Sequence, residues 1–359
     1  MRKHHKKPKR TLINTVKKNF RRLYSNLEKP FRPRNMRKKN VEKSLKSYLT
    51  TNNICKKYYK RPQLMINDME NLERVTFHTT DGIELVANLY TPNKESNKWV
   101  IACHWFAGHK NWAIHHAKIF TEMGYNVMAF DFRGHGESQE DSTTMGAKEH
   151  LDLMGALDWL KKNRTIDELA LMGTSMGAFT VNYCSLKYAK IFKEANLKFV
   201  VSDCTYGSLF RLLIHVRDIY LRFIPRKRAK KMVNKIIAKH KKAELDVDFG
   251  DASIFRLLET GYKPEFPTLF LHSKDDKVTP PSDSYELMLK RKAYVEDDYL
   301  IYNYSTHALT IKFHFKTFNY KVGQFIAKQD GTQEMFENVV SEWKLLEYDK
   351  LDDLSIKLQ

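Results

Sequence analysis

Long apolar runs and paired cysteines are both missing from this 359-residue sequence. A membrane-crossing helix needs about 20 consecutive, mostly apolar residues, so no spanning helix is predicted. The first ten residues are strongly basic, but no apolar core region follows them, which argues against a cleaved signal peptide. The four cysteines are scattered without a C-x-x-C pair, which favours a reduced, cytoplasmic protein over a disulfide scaffold or a zinc site; they are Cys55, Cys103, Cys184 and Cys204.

Acidic residues are scarce in the amino-terminal sixth of the chain. Residues 1–62 contain 22 Lys or Arg but only two acids, Glu28 and Glu42, whereas the remaining residues contain 40 of each sign. The whole net charge of +20 therefore lies in this segment. Within it, residues 11–29 place apolar side chains on one helical face and Lys or Arg on the other, which predicts a basic amphipathic helix. We expect residues 1–62 to form a basic extension to a neutral domain.

Three partners suit such an extension. It could lie on an anionic membrane surface, which would place the protein peripherally on the inner membrane face. It could instead pack against its own domain or the acidic tail, an interpretation that we favour equally. Contact with the phosphates of nucleic acid is the third interpretation and is less favoured.

From residue 72 onwards, strand-like and helix-like segments alternate. A hairpin is predicted over 74–79 and 84–90, around Asp81-Gly82, and six further strands are predicted at 99–104, 126–131, 168–172, 199–204, 268–272 and 299–303. Helical patterns lie between most of them, at 112–123, 147–162, 176–188, 282–290 and 309–327. This alternation predicts an α/β domain over 63–328, with a mostly parallel eight-stranded sheet and helices on both faces.

Two segments depart from the alternation. Residues 205–265 contain helical patterns and a basic run at 226–231 but no clear strand, which predicts an inserted helical cap. Residues 329–359 are predicted to form an acidic tail, helical over 334–348. A weaker helix is predicted over 41–60.

The most informative motif is Gly-Thr-Ser-Met-Gly at 173–177. It follows a short apolar strand and precedes a helical pattern. A serine on such a strand-to-helix turn has its hydroxyl exposed above the sheet and the next backbone amide at a helix amino terminus. Ser175 is therefore the predicted nucleophile, and the amide of Met176 is a predicted oxyanion donor.

A serine nucleophile needs a base and an acid, each placed after a later strand. Asp276 is the preferred acid because it lies two residues before Val278 and four before Pro280, and the adjacent Asp275 is the alternative. His307 is the preferred base because it lies on the loop after the last strand. His314 is its rival but falls inside the following helical pattern.

The second oxyanion donor is expected from the loop after the strand at 99–104. That loop reads His-Trp-Phe-Ala-Gly-His at 104–109, and we assign the backbone amide of Phe106. The other histidines show no H-E-x-x-H or similar spacing, so no metal site is predicted.

These motifs, together with Asp-Phe-Arg-Gly-His-Gly-Glu-Ser at 131–138, resemble the α/β-hydrolase superfamily over about residues 72–328. The resemblance is closest to bacterial proteins labelled esterase, lipase or serine-aminopeptidase-like hydrolase. It implies a Ser–His–Asp triad without metal or organic cofactor, and a structural rather than catalytic turn around Arg133 and His135. The chain departs from the family pattern where glycine is usual, at Trp105, Ser273 and Thr306.

The expected activity is hydrolysis of a carboxylic ester through an acyl-enzyme. Apolar cap residues could line an acyl pocket, which would suit an acyl-lipid or lysophospholipid substrate; they are Leu209, Phe210, Leu212, Leu213, Ile214, Tyr220, Leu221, Phe223 and Ile224. Peptidase, aminopeptidase-like and thioesterase activities remain alternatives, because the same triad serves them all. A non-enzymatic scaffold is disfavoured, because serine, acid and histidine all occur in the expected order.

Overall fold

The computed structural model describes residues 41–243, 250 and 252–347. The amphipathic helix predicted over 11–29 lies outside these residues. Eight strands form one sheet; they are β1 (Leu72–His78), β2 (Glu84–Tyr90), β3 (Lys98–Cys103), β4 (Asn126–Phe130), β5 (Glu168–Thr174), β6 (Leu197–Asp203), β7 (Thr268–Ser273) and β8 (Asp298–Tyr302). Their order is β1-β2-β4-β3-β5-β6-β7-β8. The pairs β1–β2 and β2–β4 are antiparallel and all the others are parallel, which confirms the predicted hairpin and sheet.

The helices are α1 (Val41–Ile54), α2 (Lys110–His116), α3 (Lys118–Glu122), α4 (Glu149–Asn163), α5 (Met176–Lys187), α6 (Ala189–Glu194), α7 (Leu209–Tyr220), α8 (Arg226–Ala243), α9 (Ile254–Glu259), α10 (Pro281–Arg291), α11 (Thr310–Phe313), α12 (Phe315–Asp330) and α13 (Gln333–Glu342). Most lie at or close to predicted helical segments; α6 was not predicted, and α7, α8 and α9 fall in the segment predicted only as a helical cap. A short π-helix, Cys55–Tyr59, continues α1. The predicted helical segments at 112–123 and 309–327 are helical, and each is divided into two helices, at Ala117 and His314. None of the described helices has the length and apolar character needed to cross a membrane.

Both faces of the sheet are covered by helices. Successive strand residues alternate between two hydrophobic clusters, so Val100 and Ala102 face one layer while Ile101 and Cys103 face the other. The first layer includes α2, α3 and α12, and the second includes α4 and α5. The continuous apolar composition of the central strands follows from this burial on both sides.

Parts of the predicted extension and tail belong to the same core. Tyr48, Cys55 and Tyr59 are buried in the first cluster, as are Phe336 and Trp343 from the carboxyl-terminal segment. The charge boundary at residue 62 therefore does not coincide with a packing boundary. The segment before residue 62 can be basic and still pack against the core, because the apolar residues between its lysines form the buried face.

The cap helices α7, α8 and α9 follow β6 and precede β7. They form a third cluster with Phe179 of α5 and with Tyr206, whose rings stack at a centroid separation of 4.7 Å. Most of the apolar residues expected to line an acyl pocket are buried in this cluster and hold the cap on the domain; the buried ones are Leu209, Leu212, Leu213, Ile214 and Ile224. Tyr220 and Phe223 are instead exposed.

Candidate active site

Ser175 occupies a strained turn between β5 and α5. Its backbone has φ 57° and ψ −112°, a conformation that L-residues rarely adopt. Its amide donates to the carbonyl of Asp203 at 2.8 Å, which ties the turn to the end of β6. The flanking glycines are required by close approach: a Cβ on Gly173 would lie 2.3 Å from the Gly177 carbonyl, and a Cβ on Gly177 would lie 2.2 Å from the Cys103 carbonyl oxygen.

Three predicted side chains meet above the carboxyl ends of the strands. Ser175 Oγ lies 2.7 Å from His307 Nε2, and His307 Nδ1 lies 2.7 Å from Asp276 Oδ2. Because an ionised carboxylate can only accept, Nδ1–H donates to Asp276 and Nε2 accepts from the serine hydroxyl. The arrangement leaves the serine proton in contact with the imidazole lone pair.

Asp276 is buried and held by several donors. The amides of Val278 and Thr279 donate to its Oδ1 at 2.7 and 3.0 Å, and the Thr279 hydroxyl donates to Oδ2 at 2.8 Å. Burial alone would raise the pKa of Asp276, but hydrogen bonds from His272 and His307 outweigh it. The pKa therefore lies well below the usual range, and the carboxylate stays ionised.

The rival residues lie elsewhere. Asp275 is exposed, and its carboxylate accepts from the backbone amide of Tyr304 at 2.9 Å. His314 is buried against the ring of Tyr302, and its Nε2 lies 2.6 Å from the Asn303 carbonyl. The structure thus brings Asp276 and His307 to Ser175, while Asp275 and His314 support the loop between β8 and α11.

Loop 104–109, which carries Phe106, is positioned by His104. Nε2 of this histidine accepts from the amide of Phe132 at 3.1 Å, so Nδ1–H donates to the Trp105 carbonyl at 2.7 Å. Burial lowers the pKa of His104 to about 3, which keeps the ring neutral as this pattern requires.

The same loop is held from the other side by His135. Its Nε2 accepts from the amide of Ala107 at 3.0 Å, so Nδ1–H donates to the Arg133 carbonyl at 2.9 Å. Ala107 has a φ of 63°, in the left-handed region, and this hydrogen bond stabilises that conformation. Sequence reasoning treated His104 and His135 as ordinary histidines; the structure shows that both anchor the loop assigned to the oxyanion.

Arg133 is buried, and its guanidinium group donates hydrogen bonds to carboxylates. Its Nε donates to Asp152 at 2.8 Å, and its two terminal nitrogens donate to Asp81 at 2.8 and 3.0 Å. The side chain therefore braces the turn after β4 against α4 and the β1–β2 hairpin.

Asp203 is a further acid near the site that sequence reasoning missed. It ends β6, it is buried, and its Oδ2 has no hydrogen-bond partner among the described residues. Burial raises the pKa of Asp203 to about 6. The sequence did contain a signal for Asp203, because this acid ends an apolar strand. The structure shows that this strand pairs with β5, which precedes Ser175.

One group of described side chains has the separation of metal ligands. Donor atoms of Cys204, His272 and Asp276 lie within 4.8 Å of one another. The same Asp276 oxygen already accepts from Thr279 and His307, and burial raises the pKa of the Cys204 thiol, which disfavours the thiolate that a metal needs. These contacts fit a hydrogen-bond network around the acid better than a cation site.

A polar cavity of about 310 Å³ lies between α7, α8 and the start of α10. Charged residues from the cap and α10 line much of it, among them Arg211, Asp218, Arg226, Lys230 and Asp283. His215, also on its wall, places Nε2 3.3 Å from the Asp276 carbonyl oxygen. The cavity adjoins the acid loop, and its lining differs from the apolar pocket expected in the cap.

Two family models match parts of the chain. One, described as serine aminopeptidase, S33, matches residues 94–247. The other, described as acetyl xylan esterase, matches residues 25–157. The first match covers the strand-to-helix turn at Ser175 and the loop that carries Phe106.

Similar proteins support the same fold. An uncharacterized protein of Bacillus subtilis (strain 168), YqkD, is 24% identical over 304 residues, which are 79% of this chain and 90% of that protein. Among solved structures, the esterase Pf2001 of Pyrococcus furiosus is 22% identical, with a TM-score of 0.55 over 72% of this chain and 92% of that one. Est1E of Butyrivibrio proteoclasticus is 18% identical, with a TM-score of 0.52 over 71% of this chain and 99% of that one. With the sheet order and the serine turn, these matches show that the chain has the α/β-hydrolase fold.

Proposed function

We propose that the protein is a serine hydrolase that cleaves carboxylic esters. The observation that carries the proposal is the pair of 2.7 Å contacts that join Ser175 to His307 and His307 to Asp276. Esterase is the description of one matching family model and of the Pf2001 structure, which supports an ester as the substrate class.

In the first half-reaction, Ser175 Oγ forms a bond to the ester carbonyl carbon while its proton passes to His307 Nε2. The tetrahedral oxyanion accepts hydrogen bonds from the backbone amides of Phe106 and Met176. The bond to the alcohol oxygen then breaks, and the proton on Nε2 passes to the leaving alkoxide. An acyl-enzyme on Ser175 remains.

In the second half-reaction, His307 takes a proton from water, and the oxygen of that water bonds to the acyl carbon. The bond to Ser175 Oγ breaks and the serine recovers its proton, which releases the carboxylic acid. Asp276 stays ionised throughout and stabilises the imidazolium form of His307, because its pKa is held far below neutral.

A fluorophosphonate probe tests the nucleophile directly. Wild-type protein should be labelled, Ser175→Ala should not, and the control Ser341→Ala, on the exposed end of α13, should be labelled as wild type is. Labelling that survives in Ser175→Ala would contradict the assignment.

A substrate panel tests the ester class. It contains short-chain and long-chain nitrophenyl esters, a lysophospholipid, an acyl thioester and an aminoacyl amide. We expect ester turnover that Ser175→Ala abolishes. Turnover of the amide or thioester with no ester cleavage would replace the proposal with the peptidase or thioesterase alternative, and preference for the lysophospholipid would identify an acyl-lipid substrate.

A further inference from the structure

The basic run at 226–231 has no role in ester hydrolysis, yet the structure gives it a defined place. It begins α8, which buries one face in the cap cluster through Ala229, Met232, Val233 and Ile236. The 3–4 residue spacing of these positions places the intervening basic residues on the opposite, solvent-exposed face; they are Lys227, Arg228, Lys230, Lys231 and Lys235.

This exposed face carries unbalanced positive charge. Residues 219–238 contain seven Lys or Arg and no acid. Among the described residues, Arg226 pairs with Asp218 at 3.3 Å, whereas no ion pair engages Lys227, Lys230 or Lys231. Cations that neutralise nothing within the domain are available to an anionic partner.

Two large aromatic side chains stand beside these cations. At the corner between α7 and α8, Tyr220 is 59% exposed and Phe223 is 74% exposed. The corner is well ordered by hydrogen bonds, because Arg217 donates to the carbonyls of Ile224 and Arg222. The backbone of the corner is thus held by hydrogen bonds, and both aromatic side chains are exposed on it.

The corner and α8 belong to the cap, which lies at the carboxyl ends of the strands, as Ser175 does. The cap follows the carboxyl end of β6, and His215 of α7 contacts the Asp276 loop at 3.3 Å. Contact of this surface with a partner would bring the partner to the side of the molecule on which Ser175 lies, beyond the carboxyl ends of the strands.

We propose that Tyr220, Phe223, Lys227, Arg228, Lys230 and Lys231, together the cap surface, dock the protein on an anionic phospholipid bilayer. Basic residues attract the anionic headgroups, and the adjacent aromatic rings enter the boundary between headgroups and acyl chains. The phosphates of nucleic acid would contact the same basic residues. The exposed Phe223 beside them, at a helix corner, favours a lipid interface instead. None of its residues belongs to the segment 1–62, and the proposal does not depend on ester cleavage.

Flotation of the full-length protein with vesicles of equal parts phosphatidylcholine and phosphatidylglycerol tests the charges. The variant Lys227→Glu/Lys230→Glu/Lys231→Glu should bind at least about tenfold more weakly than wild type. The control Lys161→Glu/Lys190→Glu/Lys198→Glu makes the same charge change at exposed positions near the amino-terminal ends of β5 and β6. It should bind as wild type does. Residues 1–62 are unchanged in both variants, so a difference between them is due to the substituted lysines. Equal binding by the two triple variants would overturn the proposal.

Insertion of the corner is tested by fluorescence. Phe223→Trp should be quenched by vesicles whose phosphatidylcholine carries brominated acyl chains, whereas Tyr294→Trp, an exposed position after α10, should not. Equal quenching of the two would overturn the proposal. So would loss of RNA oligonucleotide binding in the α8 triple variant with vesicle binding unchanged, which would assign the surface to nucleic acid.

Discussion

His135 accepts a hydrogen bond from the backbone amide of Ala107 at 3.0 Å, and this contact joins the turn after β4 to the loop after β3. The loop carries Phe106, whose amide we assign to the oxyanion. His135 therefore helps to position the loop to which we assign this oxyanion donor.

Replacing His135 should consequently lower turnover. In His135→Ala, Ala107 loses the acceptor that stabilises its left-handed backbone, so the loop should move away from its productive position. Loss of a whole oxyanion donor costs about 3 kcal/mol, and a displaced donor should lower kcat by roughly 10- to 100-fold. Steady-state kinetics should show the loss in kcat with KM little changed; an unchanged kcat in a folded variant would rule out this positioning role.

The two adjacent aspartates offer a matched pair of variants. Asp276→Asn removes the charge that stabilises the imidazolium form of His307 and lets the ring adopt the wrong tautomer, so kcat should fall by about a factor of 10⁴. Asp275→Asn alters an exposed carboxylate that contacts only the loop, and kcat should fall by less than about tenfold. If the larger loss occurred in Asp275→Asn, the acid would be misassigned.

The close approach at Gly177 predicts a large structural effect of one methyl group. Gly177→Ala would place a Cβ 2.2 Å from the Cys103 carbonyl oxygen, so α5 must shift away from β3. We expect a loss of about 2 kcal/mol or more in the free energy of unfolding, measured in urea, with loss of activity.

Gly155→Ala is the control for that substitution. Gly155 is also a helical glycine, but its added Cβ would meet no atom closer than 3.3 Å. Its unfolding free energy should change by less than about 1 kcal/mol. Equal effects of the two substitutions would mean that helix propensity, and not the contact with β3, explains the result.

The raised pKa of Asp203 predicts a pH-dependent stability. In the unfolded chain this carboxyl titrates near its ordinary value of 3.8, but burial raises its folded pKa to about 6. Because the folded state holds the proton more tightly, stability falls as pH rises from 3.8 to 6 and the whole penalty is present above 6.

Asp203→Asn removes this penalty, since the amide does not ionise. The variant should be more stable than wild type by about 2–3 kcal/mol at pH 8 and should differ little at pH values below about 4. Urea unfolding of both proteins across this range measures the difference. A stability gap that does not vary with pH would show that Asp203 is not a buried titrating acid.

The periodicity of the chain predicted the fold well because strands buried on both faces are continuously apolar and the intervening helices are amphipathic. The interruptions at Ala117 and His314, which divide two of the predicted helical segments, are local departures that no periodic pattern records. The packing of Tyr48 and Tyr59 into the core was hidden by the lysines between them, because net charge describes composition and not which face of a segment is buried.

By itself, the sequence determined the strand order along the chain, the turn at Ser175, and the loops that carry Asp276 and His307, since each depends on short local patterns. Only the tertiary structure decided which aspartate meets His307, and that His104 and His135 hold one loop, because these contacts join residues far apart in the chain. It also decided that α8 buries its apolar side and leaves Lys227, Arg228, Lys230 and Lys231 exposed to solvent close in the chain to Phe223. That orientation depends on what the rest of the fold packs against the helix.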